Sequence, residues 1–136
     1  MNPCVYLDTS ALVKLVRAEA ETKALFVELS RWTRRVSSTL ARVELFRALR
    51  RADADERELR RGEAALERIV LVHMDDDILR SAANLRDKNL RALDAIHLAT
   101  ALSIRRELGA SIIYDVHFRA AAEAEGLAVL APGSRR

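Results

Sequence analysis

Residues 4–10 read CVYLDTS, and this stretch decides the fold. Cys4–Leu7 is an apolar run too short for a helix, and it stops at a carboxylate followed by two hydroxyl residues. The pattern predicts a buried strand, a turn at Asp8-Thr9-Ser10 and a helix from about Ala11. A strand that hands over to a helix in this way is the opening of an alternating α/β chain.

The same alternation recurs downstream. A second helix is expected over roughly Ala18–Trp32 and a weak strand over Arg35–Ser38. From Thr39 the helix Leu40–Ala52 follows, with apolar side chains almost all round. Asp55–Arg68 is densely charged, with Leu59 and Leu66 inward, and reads as an exposed helix. Ile69–His73 (IVLVH) is a strand by its β-branched content. Asp75–Asp87 is helical, with Ile78, Leu79, Ala82 and Leu85 on one face. Ala92–Leu108 is the most apolar helix, with no formal charge between Asp94 and Arg105, and Gly109 is expected to end it as a C′ glycine. Ser111–Tyr114 is a strand, His117–Glu125 a helix stopped by Gly126, and Leu127–Leu130 a last strand before Pro132. Short buried strands alternating with helices predict a three-layer α/β/α sandwich around a four- to five-stranded parallel sheet.

The chain has 136 residues, which fits a single domain over residues 1–136. Half the residues are hydrophobic and 32% are charged, so disorder and fibrous assembly are excluded. Cys4 is the only cysteine, which rules out an internal disulfide or a cysteine-based zinc site. Asp8 interrupts the short N-terminal apolar run, so no signal peptide is expected, and no stretch approaches the ~20 apolar residues of a membrane span. A cytoplasmic protein without membrane contact is the expectation. The net charge is +3, and all basic residues except Lys14, Lys23 and Lys88 are arginine. Arginine suits bidentate phosphate contacts and keeps a nucleic-acid partner open, although solvated helix faces explain most of the stretch from Arg47 to Arg61. Scarce aromatics argue against a base-stacking platform.

In a parallel sheet the strand C-termini and the helix N-termini share one edge, where ligands bind. Four acids fall on it. Asp8 ends the first strand, and Asp115 ends Ser111–Tyr114. Asp94 lies in the first turn of its helix and Glu44 in the second turn of another. Each has a plain alternative: Asp8 and Asp94 serving helix N-termini, Glu44 pairing with Arg47, Asp115 forming a turn. Glu44 and Asp94 nevertheless stand among small and apolar neighbours, where an unpaired carboxylate is costly. With no obvious Lys or Arg among them, the four need a cation, and hard oxygen ligands suit Mg²⁺ or Mn²⁺.

The segments YLDTSALVKL, SSTLARVELFRAL, LRALDAIHLATAL and IIYDVHFRAAAEAEGLAVLAP resemble, in order, the blocks of a PIN domain of the VapC-type toxin ribonucleases. The resemblance covers Cys4 to Pro132. It places the family's acids on Asp8, Glu44, Asp94 and Asp115 and its small hydroxyl on Thr9 or Ser10. It implies a Mg²⁺-dependent endoribonuclease, a homodimer, an RNA substrate and a cognate antitoxin. The family often carries Thr or Ser two positions before the fourth acid, where this chain has Ile113.

Other candidates read as structural. His97, at i+3 from Asp94, is a packing residue at the site's edge; His73 and His117 are isolated. Asp75-Asp76-Asp77 precede a helix and cap it. Cys4 is a small core residue, and Ser10 lacks a base for nucleophilic catalysis. The rival reading is a non-enzymatic module, either receiver-like with a phosphoacceptor acid or merely binding RNA or protein. A receiver wants an acidic pair at the first strand and a late lysine, whereas here Asp8 is followed by Thr9-Ser10 and no lysine lies beyond Lys88.

Overall fold

The computed structural model describes residues 4–134; residues 1–3 and 135–136 of the expected domain lie outside them. Strand β1 (Cys4–Leu7) is followed by α1 (Thr9–Val16), α2 (Thr22–Leu29), β2 (Arg34–Ser38), α3 (Leu40–Arg51) and α4 (Glu56–Glu67). The second half runs β3 (Val70–Val72), α5 (Asp76–Ala83), α6 (Ala92–Ser103), β4 (Leu108–Ile112), α7 (Val116–Ala124) and β5 (Val129–Leu130). The strands form one parallel sheet in the order β3-β2-β1-β4-β5, which puts β1 at its centre. The expected sandwich is present, with five strands.

Strand alternation builds the layers. Val5 and Leu7 point to one face, where they join Leu12, Leu25, Leu45, Leu49, Leu66 and Ile112 in a core roofed by α1–α4. Cys4 and Tyr6 point to the other, against Val36 and Ala101 of α6. Leu98, Ile113, Phe118 and Ala122 continue that layer under α7. Ile113, which stands where the family often has a hydroxyl, is thus a core residue, 1% exposed. At the C-terminal edge, the buried Ser37 hydroxyl donates to the Leu7 carbonyl over 2.6 Å and ties β2 to the end of β1.

Several boundaries differ from the sequence reading. Helix α6 stops at Ser103, and Leu108–Ile112 is a strand, so Gly109 does not terminate a helix. The Thr100 and Ser103 hydroxyls donate to the Ile96 and Thr100 carbonyls, within a helix end that closes as turns. Gly109 is the residue skipped between the pairs Cys4↔Leu108 and Val5↔Ala110, the place of a bulge in β4. Helix α1 starts at Thr9 because Asp8 caps it. Helix α2 starts at Thr22, not Ala18. The Thr22 hydroxyl donates to the Lys14 carbonyl and accepts from the Glu19 amide, which closes a turn before the helix. Asp75 caps α5 as expected, but α5 ends at Ala83, and Leu79 is 42% exposed, off the buried face. Helix α3 is not apolar all round: Ala41, Leu45 and Leu49 are buried, while Arg42, Arg47 and Arg50 are exposed, with Val43 the large apolar outlier. His117 is not isolated, since its Nε2 lies 2.9 Å from Asp87 Oδ2. Among the described residues no helix is long and apolar enough to cross a membrane.

Helices α3 and α4 meet at Gly62, where an added Cβ would lie 3.1 Å from Leu49 Cδ1 and from Phe46 Cε1. Gly62→Val is expected to destabilise the protein by about 1–3 kcal/mol through overpacking. Urea unfolding checks this, and an unchanged midpoint would show that the two helices separate freely.

Candidate active site

Asp8 follows the central strand and opens α1. Its Oδ1 accepts from the Ala11 amide at 3.3 Å and from the Ser10 hydroxyl at 2.7 Å. The residue is only 6% exposed, and burial pushes its carboxyl up to about 6; Ser10, His97 and the Ala11 amide pull it down, and Asp94 pushes it further up. Asp94, in the first turn of α6, is also raised, chiefly by burial, against the pull of Arg91 and with the help of Asp115 and Glu44. Asp115 is exposed and caps α7, its Oδ1 accepting from the Phe118 amide at 2.8 Å. Asp8 therefore does serve a helix N-terminus, and Asp115 caps a helix where a turn former was the plain alternative.

Glu44 of α3 is not set in purely apolar surroundings. Its Oε1 accepts from the Thr9 hydroxyl at 2.6 Å and lies 2.6 Å from His97 Nε2. Burial works to raise its pKa, but these two hydrogen bonds outweigh it and hold the carboxyl below its ordinary value. The two hydroxyls after Asp8 are thus divided: Thr9 serves Glu44 and Ser10 serves Asp8.

Two side chains enter the site that the sequence reading left out of it. His97 is 2% exposed and reaches both Glu44 and the buried Tyr6 hydroxyl, so it is more than a packing residue. The cluster also has an arginine: Arg91, at the N-cap position of α6, lies 3.7 Å from Asp94 and 3.8 Å from Asp115. The i+3 spacing of Arg91, Asp94 and His97 along α6 was the available signal for both, because such residues share a helix face.

The fit to a cation is a matter of donor chemistry. Among the described residues, no three His, Cys, Asp or Glu side chains converge as a ready-made metal cage. Mg²⁺ keeps several waters and needs only one or two carboxylates, a demand that the buried Asp8 and the half-buried Asp94 would meet. Zinc, whose sites are built from three or four protein ligands rich in His and Cys, is not matched by two Asp carboxylates. A hollow of about 410 Å³ between α5 and α6, lined by Leu79, Leu85, Asp87, Lys88, Leu90 and Ile96, contains none of the four acids.

A family model described as PIN domain matches residues 5–124. Ribonuclease VapC46 of Mycobacterium tuberculosis is 44% identical over 128 residues, covering 94% of this chain and 97% of that protein. Ribonuclease VapC35 of the same species is 43% identical over 136 residues, covering 97% and 99%. Among solved structures, Mycobacterium tuberculosis VapC20, a Sarcin-Ricin loop cleaving toxin, superposes with a TM-score of 0.72 at 16% identity over 94% of this chain and 99% of that one. A toxin–antitoxin complex from Klebsiella pneumoniae gives 0.71 at 24% identity, covering 94% and 97%. At these identities the two structures speak for the fold alone.

The Asp8 shift has a measurable consequence for stability. In the unfolded chain the carboxyl titrates near 3.8, and in the folded protein at about 6. The folded state therefore holds the proton more tightly, and stability falls as pH rises from about 4 to about 6, with the cost fully present above that window. The difference corresponds to about 3 kcal/mol. In chelator, Asp8→Asn is expected to be more stable than wild type at pH 7–8, with the advantage shrinking toward pH 4. Urea unfolding across that range checks it; parallel profiles for the two proteins would mean that Asp8 ionises freely.

Proposed function

The chain belongs to the PIN domain family, and on that premise we propose that it is an endoribonuclease, the toxin of a toxin–antitoxin pair, acting on RNA with Mg²⁺ or Mn²⁺. The observation that carries the chemistry is the pair Asp8 and Asp94, two carboxylates at the helix-start edge whose affinity for protons is raised by burial and by neighbouring carboxylates. Acids perturbed by burial and by neighbouring charge are candidates for a functional site. The family assignment replaces the receiver-like alternative.

Asp8 and Asp94 would hold the cation directly, with Glu44 and Asp115 completing the acidic rim. Once bound there, Mg²⁺ supplies Lewis-acid polarisation of the scissile phosphate and activates water for in-line attack. The chain's own groups prepare the site. Ser10 and the Ala11 amide fix the rotamer of Asp8 through one oxygen, so that Oδ2 is the oxygen left for the cation. Arg91, 80% exposed between Asp94 and Asp115, keeps most of its guanidinium open to a neighbouring phosphate. The products expected are a 5′-phosphate and a 3′-hydroxyl.

Val43 of α3, Leu93 of α6 and Val116 of α7 are 61%, 48% and 72% exposed, and each sits near the start of its helix. Apolar side chains ringing an acidic edge favour a protein partner there, and we assign the antitoxin to this surface. A homodimer and a cytoplasmic location complete the proposal.

Cleavage of total RNA in Mg²⁺, followed by mapping of the ends, tests this reading. Asp8→Asn and Asp94→Asn are expected to reduce cleavage to background while remaining folded. EDTA should do the same and Mn²⁺ should restore activity. Mg²⁺ at a hundredfold excess over its Kd should stabilise the wild type by about 2.7 kcal/mol. Full activity of Asp8→Asn in chelator would overturn the mechanism, and a stable phosphoryl label on Asp8 would restore the receiver-like alternative.

A further inference from the structure

A chain of short contacts runs from the sheet core to Glu44. The Tyr6 hydroxyl lies 2.7 Å from His97 Nδ1, His97 Nε2 lies 2.6 Å from Glu44 Oε1, and Tyr6 and His97 meet edge to face at 5.9 Å between ring centroids. Tyr6 is 0% and His97 2% exposed, so water cannot replace either partner.

The chemistry of the partners assigns the protons. A carboxylate only accepts, so Nε2 must carry a hydrogen toward Glu44. Thr9 likewise calls for a hydrogen on Nε2. Its proton is spent on Glu44 Oε1, so its Oγ1, 3.2 Å from Nε2, can only accept from that ring nitrogen. In the neutral ring Nδ1 is then an acceptor, and the Tyr6 hydroxyl is its donor. All of this falls on one oxygen of Glu44. Oε1 takes both Thr9 and His97, while Oε2 has no hydrogen-bond partner among the described residues.

We propose that Tyr6 and His97 are positioning residues, a buried relay that locks the Nε2–H tautomer, anchors Glu44 through Oε1 and keeps Oε2 open to the hydrated cation. The proposal rests on the ribonuclease reading for its functional half, whereas the tautomer stands independently of it. Neither residue touches substrate. Tyr6 acts through His97, and His97 acts through Glu44, as outer partners of ligand side chains commonly do.

Tyr6→Phe removes the hydroxyl and little else. Without it Nδ1 has no partner in either tautomer, and the ring is held at Nε2 alone and no longer at both nitrogens. Three measurements test the relay. Nitrogen-15 NMR of the metal-free wild type should show His97 with a protonated Nε2 and an acceptor Nδ1, and Tyr6→Phe should shift that signature. Calorimetry with Mn²⁺ should show affinity weakened by about 10–100-fold in Tyr6→Phe and His97→Leu. In cleavage assays kcat should fall in both with KM for RNA little changed, and His97→Gln, whose amide N–H can still reach Glu44, should recover part of the loss. A folded Tyr6→Phe protein with wild-type Mn²⁺ affinity and kcat, or a wild-type His97 protonated on Nδ1 alone, would overturn the relay. Should the wild type cut no RNA while NMR finds the Nε2–H tautomer, the ribonuclease reading fails and the tautomer assignment survives. Circular dichroism separates both cases from loss of fold, and a His97→Leu that unfolds leaves Tyr6→Phe and His97→Gln to decide.

Discussion

A carboxylate is buried at the end of the central strand, and the layout of the rest of the site follows from keeping it there. Asp8 leaves β1 inside the sandwich, with β2 and β4 on either side. Burial disfavours its charge, and the local chain compensates only in part, through Ser10 and the first turn of α1. The parallel sheet then brings the helix starts of α6 and α7 to the same edge, and with them Asp94 and Asp115. Parallel strands with crossover helices leave few other places for helix N-termini, whose dipoles favour negative charge.

The site divides into a half that is ionised and held and a half that resists ionisation. Glu44 is pulled below its ordinary pKa by Thr9 and His97, while Asp8 and Asp94 are pushed above theirs by burial and by neighbouring carboxylates. Carboxylates near helix ends can thus be held in the ionised form or kept from it, depending on how far hydrogen bonds offset their burial. Thr9 and Ser10, adjacent in sequence, serve the two kinds separately. That division of labour fits a cation that needs few direct ligands and keeps its water.

Much of the fold was legible because strand and helix periods differ so clearly here. CVYL, IVLV and the apolar face of α6 are brief or periodic enough to be assigned without tertiary information. The errors fell where local signals compete. Gly109 has the chemistry of a helix terminator, yet the pairing of β4 with β1 claims it for a bulge. Thr22 caps a turn through hydroxyl contacts to Lys14 and Glu19, partners that helical periodicity cannot reveal.

For the candidate site, residue identity and order were sufficient to name Asp8, Glu44, Asp94 and Asp115 and to set them at one edge, since the edge follows from strand direction. What the acids touch was decided only by the packed structure. Arg91 reaches Asp94 by a helical spacing visible in sequence, but it reaches Asp115 across a gap of 24 positions. His97 meets Glu44 across 53 positions and Tyr6 across 91. Hydrogen bonds between elements depend on where α3 and α6 settle on the two faces of the sheet, and that placement is set by side-chain packing of the whole core. Linear spacing carries the period of a helix or a strand, whereas the distance between two helices belongs to the fold.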